Sequence, residues 1–437
     1  MVLKEALVSL NLPFGNFRGQ GYDGAANMSG CEHGLQAKVR EENPRALWMY
    51  CFGHDLNLVV QDSMKDRDME NAIQKMHSVI TFIKASPKRY EVFKKMAAQE
   101  GHYDRHEIRP LCPTRWVMRL ASVDSMLLHY TTVLMQLETA LDDRELKPDK
   151  RAETQAFVRS LEEFNTYFCI RTFQKLLLIT NPIHVMCQAK RVTVGNVRSW
   201  VQSLIATLSG IGADEVGAAF FYQEVKAAAH KLWIDEPKLP GVPRARRGDA
   251  ADVDDADEIS NRIEELYVKI FIKIRYYELC NSKQVSIKLQ HCFCKVFSSA
   301  ATSLILRYSR QDLRMTELLR HSIEDPDMAE AELTELITFY DGDLPSMEQF
   351  KWERQAWYGR CDEQVIEKTW EGLRKVLSSE HGMRGMLKGM HTTLVLYLVL
   401  PATTCEAERS FSMLRWLLTY IRSMQGQEKL SGLAILN

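Results

Sequence analysis

The chain has 437 residues, 46% of them hydrophobic, and a formal charge of -1 at pH 7. Its length and apolar content suit two or three folded domains with a sizeable core. The near-neutral balance excludes a chain-wide basic surface of the kind that drives nucleic-acid affinity, so any DNA contact must come from a local patch.

Along residues 1–63, the opening MVLKEALVSLNL reads as an amphipathic helix carrying Glu5 rather than a secretory leader. Phe17–Tyr22 is a candidate short strand entering the turn Asp23-Gly24-Ala25-Ala26-Asn27. Cys31–Glu42 holds Leu35 and Val39 at helical spacing, and Asn43-Pro44 stops it. Leu47–Phe52 is an apolar and aromatic run suited to a buried strand, followed by a helix over His54–Ser63.

Residues 64–390 are dominated by helical periodicity. Ile73, Met76, Val79, Ile80 and Ile83 share one face, and Leu204, Leu208 and Ile211 share another. Val268, Ile270, Ile272 and Ile274 alternate, but their surroundings are helix-like and the stretch is read as helix. Residues 237–258 are Pro-rich, then basic, then acidic, and read as a flexible loop. From about His391 to Asn437 an apolar run returns. Leu394–Leu400 is far shorter than the roughly 20 residues a membrane span needs. Beyond it Phe411, Leu414, Leu418 and Ile421 recur at spacings of three and four, with Leu430 and Leu433 further on. The 10 cysteines lack the spacing of a disulfide framework, which fits reduced, intracellular thiols.

Several motifs carry chemistry, each with a plainer reading beside it. Asp23 ends a strand amid small residues. It either caps the next helix or lets a carboxylate and a metal-bound phosphate approach the backbone. No Gly-Lys-Ser/Thr follows, so the loop is not of the Walker type. Cys51 and His54 are half of a tetrahedral zinc set with no second pair nearby, so zinc is not expected. A buried thiol and a hydrogen-bonded histidine account for them equally well. Arg115 and Trp116, in Thr114-Arg115-Trp116, could pair a phosphate and stack on a base, or simply pack. Around them Lys84, Lys88, Arg89, Lys94, Lys95, Arg105, Arg109 and Arg119 interleave with Tyr90, Phe93 and Tyr103, as either a DNA-facing patch or a solvated helical face. Cys292 and Cys294, two apart on a helix, would point about 200° from each other and read as packing thiols. Glu408 and Arg409 set a carboxylate beside a guanidinium at the start of the closing helices.

Taken in order, four segments resemble hAT-family transposases, and in particular their domesticated zinc-finger MYM-type-like members. They are the Asp23 turn, Cys51-Phe52-Gly53-His54-Asp55-Leu56-Asn57-Leu58, Thr114-Arg115-Trp116, and Ala407-Glu408-Arg409-Ser410-Phe411-Ser412 with Lys429-Leu430-Ser431-Gly432-Leu433. The resemblance implies a mainly α chain with a small α/β part. Residues 1–63 would be a partial ribonuclease H-like core, 64–390 an all-helical insertion, and 391–437 a dimerisation region closing the core. Active members of the family hold two divalent ions, Mg2+ or Mn2+, with three carboxylates. Asp23 and Glu408 match two of them and would converge in space, while His54, Arg115, Trp116 and Arg409 would lie near DNA.

The family's first catalytic Asp falls on a strand preceding Met1. The resemblance therefore implies an incomplete metal pocket, no resident cofactor and no catalysis. The implied activity is association through Phe411, Leu414, Leu418, Ile421, Leu430 and Leu433. Expected partners are a second copy or a related transposase-like protein, with DNA as a further partner and no membrane. A nuclear location is expected, to which Arg244-Ala245-Arg246-Arg247 adds a short basic signal. The alternative is a metal-dependent DNA transposase or nuclease in a longer form of the protein.

Overall fold

The computed structural model describes residues 2–100, 107–111, 117–144, 146–189, 192–234, 285–308, 313–363, 370–379, 385–405, 407 and 410. Helices dominate these residues, and the named strands form one parallel pair, β1 (Gly19–Tyr22) and β2 (Leu47–Tyr50). Before and between the strands lie α1 (Val2–Ser9), α2 (Ala26–Ser29) and α3 (Leu35–Glu42). After them come α4 (Phe52–Ser63), α5 (Arg67–Lys84), α6 (Pro87–Gln99), α7 (Val117–Leu128), α8 (Tyr130–Asp142) and α9 (Pro148–Leu161). There follow α10 (Phe164–Cys187), α11 (Val194–Ala213), α12 (Glu215–Lys231) and α13 (285–308). The last are α14 (Leu313–Glu324), α15 (Glu330–Phe339), α16 (Met347–Glu363), α17 (Trp370–Ser379) and α18 (Lys388–Val399). The expected mainly α character holds. No single described helix is long and apolar enough to cross a bilayer. The expected helix at 268–274 and loop at 237–258 lie outside the described residues.

The chain divides into two compact units, neither continuous in sequence. One comprises Met1–Val59, Thr180–Ala206 and Thr302–Asn437, the other Val60–Ile179 and Thr207–Ala301.

In the first unit β1 and β2 align in parallel, with Gly19 opposite Leu47 and Tyr22 opposite Tyr50. Parallel strands need a crossover, which α2 and α3 supply. Alternation along β2 turns Leu47 and Met49 inward, both buried, and leaves Trp48 and Tyr50 partly exposed. The strand stops at Tyr50, two residues earlier than expected, because the Cys51 carbonyl already accepts the Asp55 N–H and begins α4. The same face of the pair, where Gly19 and Gly21 stand beside Leu47 and Met49, is closed by a proline. Carbon added at Gly19 or Gly21 would come within 3.0 or 2.9 Å of the Pro401 ring, so both positions stay bare to let the segment after α18 lie flat.

Helices α14, α16, α17 and α18 pack together in this unit. α16 fastens helix ends on both sides. Its buried Glu353 accepts the Gly389 and Met390 N–H groups at 2.6 and 3.0 Å, satisfying orphan donors at the start of α18. Next to it Arg354 donates to the Ser322 and Asp325 carbonyls, and Trp357 Nε1 donates to the Ile323 carbonyl, at the end of α14. Arg18, just before β1, grips Asp343 through two nitrogens at 2.6 and 2.7 Å. Asp343 sits in a turn that needs a left-handed residue, supplied by Gly342 at φ 82°.

The second unit is a helical bundle. α5 buries Met69, Ala72, Met76, Val79, Ile80 and Ile83 along one stripe. Side-chain caps start three of its helices: Asp66 accepts from the Asp68 N–H, Ser86 from Arg89 with Pro87 in the first turn, and Asp214 from Gly217. An aromatic cluster joins Phe168, Phe221, Phe293 and Phe297, with ring centroids 4.6 Å apart for Phe221 and Phe293 and 4.7 Å for Phe293 and Phe297.

Candidate functional site

The C-terminal ends of β1 and β2 lie side by side, and parallel strands commonly present functional loops there. Asp23 follows β1 directly. It does not cap α2: its Oδ1 accepts the Ala25 N–H at 3.2 Å, and Ala25 is the residue at the helix start, without a side-chain cap. The Asp23 side chain stabilises its own turn and stands exposed. Gly24 beside it lies against Tyr50. A side-chain carbon there would overlap the Tyr50 hydroxyl outright and reach within 3.4 Å of His54 Nε2. Tyr50 and His54 rings are 5.8 Å apart, and Trp48 packs edge-on to Tyr50 at the same distance. A ladder of Trp48, Tyr50 and His54 thus climbs β2 to the Asp23 turn. The turn that bears Asp23 therefore packs, through Gly24, against Tyr50 and His54.

Behind His54, on the first turn of α4, Cys51 is buried as expected. Its sulfur accepts the Thr404 N–H at 3.2 Å, while the Phe52 N–H reaches the Ala402 carbonyl at 3.4 Å. Bonding to the Cys405 thiol, with further hydrogen bonds from Thr404, outweighs burial and holds the Cys51 thiol down to about 6. Cys187 sits nearby on α10, where burial pushes its thiol up to about 12. Gly53 is the shared neighbour: carbon added there would lie 3.7 Å from Cys405 Sγ, 3.8 Å from Cys51 Sγ and 3.9 Å from Cys187 Cβ.

Two residues that sequence reasoning missed complete the surroundings. Asp55, buried on α4, pairs with Arg307 at 3.7 Å. Both line a small cleft, open to solvent, with Trp48, Tyr50 and Phe52 among its other walls. Asp55 lies within the Cys51–Leu58 motif, and its charge on an otherwise apolar face was the available signal. Arg307 had none.

Arg115, Trp116, Glu408, Arg409, Phe411, Leu414, Leu418, Ile421, Leu430 and Leu433 lie outside the described residues. Four residues of the basic stretch that precedes Arg115 are engaged within the second unit. Lys84 donates to the Ile108 carbonyl and lies over the Tyr90 ring, Lys88 pairs with Asp143, and Lys94 pairs with Glu91. Arg89 stacks on Phe82 at 4.0 Å and donates to its carbonyl, and burial lowers its pKa.

The family likeness implies a divalent-ion site. Among the described residues no three of His, Cys, Asp and Glu sit together as such a site requires. The described donors alone do not fit a metal pair.

Comparison with known proteins bears on the same stretch. Residues 49–161, which include Cys51 and His54, match the model of the ZBED1 RNase-like helical domain. Over 433 residues the chain is 20% identical to the human 52 kDa repressor of the inhibitor of the protein kinase. That alignment covers 96% of this chain and 52% of the relative, so the chain spans about half the length of the curated relative it matches. With the four ordered motifs, these matches support a hAT/ZBED-like chain.

Proposed function

We propose that the chain is a transposon-derived protein, kin to hAT transposases and their zinc-finger MYM-type-like members, that works by association rather than by cutting DNA. On this reading Met1–Val59 and the segment from Pro401 onward form a remnant ribonuclease H-like core. The C-terminal stripe of Phe411, Leu414, Leu418, Ile421, Leu430 and Leu433 pairs with a second copy or a related chain. One observation carries the reading: Gly24, next to Asp23, packs against His54 at the ends of two parallel strands, with the segment leading to Glu408 fastened against the same turn of α4. The human relative bears the name of a repressor, which fits a regulatory role and a nuclear location. Association is tested by light scattering at micromolar concentration. A dimer that Leu414→Asp and Leu418→Asp abolish supports it, and a monomer at every concentration rejects it.

A second reading is favoured by the anchoring of Cys405. It stands three residues before Glu408 in the sequence, and on this reading Glu408 serves with Asp23 in a metal-dependent nuclease site in a longer form of the protein. Strand cleavage with magnesium or manganese, lost on Asp23→Asn, selects this reading over the first.

A further inference from the structure

We propose that Cys51 and Cys405 are a reversible dithiol pair whose oxidation to a disulfide clamps the segment after α18 onto the junction of β2 and α4. The inference stands on local geometry and not on the proposed function. The two thiols hydrogen-bond each other, and both sulfurs lie within 4 Å of the place a side chain would occupy at Gly53. Gly53, which adjoins both sulfurs, is partly exposed and carries no side chain of its own.

The pair is also chemically unequal. Cys51 stands at the start of α4, where backbone N–H groups favour negative charge, and its sulfur takes a further N–H from Thr404 at 3.2 Å. It is therefore the attacking sulfur. Cys187, packed on the same glycine, is held as the neutral thiol and serves as a built-in comparison. Other described cysteines lack this arrangement: Cys31 is exposed, and Cys169 is buried with its thiol pushed up by desolvation.

With hydrogen peroxide as oxidant the electrons balance in two steps. The Cys51 thiolate attacks one peroxide oxygen. The S–O bond forms, the O–O bond breaks, and hydroxide leaves and takes up a proton as water. The Cys405 sulfur, giving up its proton, then attacks the Cys51 sulfenic sulfur. The S–S bond forms, the S–O bond breaks, and the oxygen departs as a second water. Two thiols are oxidised by two electrons, and a dithiol reductant reverses the change by exchange.

Peptide mapping of the full chain tests this. The reduced protein is treated with hydrogen peroxide, its free thiols are alkylated, and it is digested without reductant. The expected dominant intramolecular product is a Cys51–Cys405 linked peptide, lost on adding dithiothreitol, with Cys187 remaining unlinked. Cys187→Ser should leave the yield unchanged. Cys405→Ser should instead leave Cys51 as a sulfenic acid that a 1,3-dione reagent labels. A Cys51–Cys187 link in its place, or an unmodified Cys51 after exposed Cys31 has been consumed, overturns the proposal. The wild-type map needs no variant to fold.

Discussion

Pro401 lies so close to Gly21 that a side-chain carbon there would come within 2.9 Å of the proline ring. The contact ties the far end of the chain to the first strand and sets one face of the β1–β2 pair. Gly21→Ala should push the proline off, at a cost of about 1–3 kcal/mol for overpacking. A chemical denaturation midpoint equal to the parent's would refute this account of the strand face.

The turn after β1 is equally tight. Gly24→Ala should displace Tyr50 and destabilise the chain by about 1–3 kcal/mol. Tyr50→Phe in the same chain should recover part of the loss, because the overlap is greatest with the hydroxyl and the ring carbon lies 3.0 Å away. Denaturation of the single and double variants reads the coupling directly. Equal stability of the two Gly24→Ala proteins would mean that the turn does not rest on Tyr50.

Glu353→Ala removes the acceptor for two buried N–H groups at the start of α18 and should cost about 2–4 kcal/mol. Glu353→Gln keeps one acceptor oxygen and should cost less. Amide exchange at Gly389 and Met390 is the local readout, and unchanged protection in the alanine variant would contradict the capping role.

Burial holds His184 neutral down to about pH 4, below its ordinary 6.5, and its Nε2 has no partner among the described residues. Between those values the unfolded chain binds a proton that the folded one refuses. Stability from this residue is full above about pH 6.5 and drains as pH falls toward 4, by up to about 3 kcal/mol. Urea midpoints at about pH 7 and about pH 4.5 should converge in His184→Gln relative to the parent. An unaltered difference between the two would place the acid sensitivity elsewhere.

Arg89 separates two readings of the basic stretch. Its guanidinium lies on Phe82 and bonds that residue's carbonyl, so Arg89→Ala should lower stability by about 1–2 kcal/mol. DNA affinity and its salt slope should stay as in the parent. A slope reduced by about one would instead assign Arg89 to a phosphate.

Local patterns were legible in the sequence where one segment sets its own structure. β2 lies within the Leu47–Phe52 run and stops two residues short of its end, Asn43 ends α3, and of the expected stripe Met76, Val79, Ile80 and Ile83 are buried while Ile73 is only partly so. The Asp23 turn was visible too, although its carboxylate serves the turn and not the helix. The strand-end site was legible only as separate halves. Nothing in spacing links Cys51 to Thr404 and Cys405, Gly21 to Pro401, or Arg18 to Asp343, because contacts between distant segments leave no periodicity. In the basic stretch the Lys94–Glu91 pair is local and could be read from spacing, whereas the Lys88–Asp143 pair joins residues 55 apart and could not.

The non-contiguous make-up of the first unit also orders events during synthesis. At roughly 5–20 residues per second, the bare face of β1 leaves the ribosome on the order of 20–80 s before Pro401 has been made. Helices of the Val60–Ile179 stretch can form in that interval, while the glycine-faced strands await their lid. A nascent-chain protease experiment should therefore find the first strands cleavable long after the early helices have become resistant.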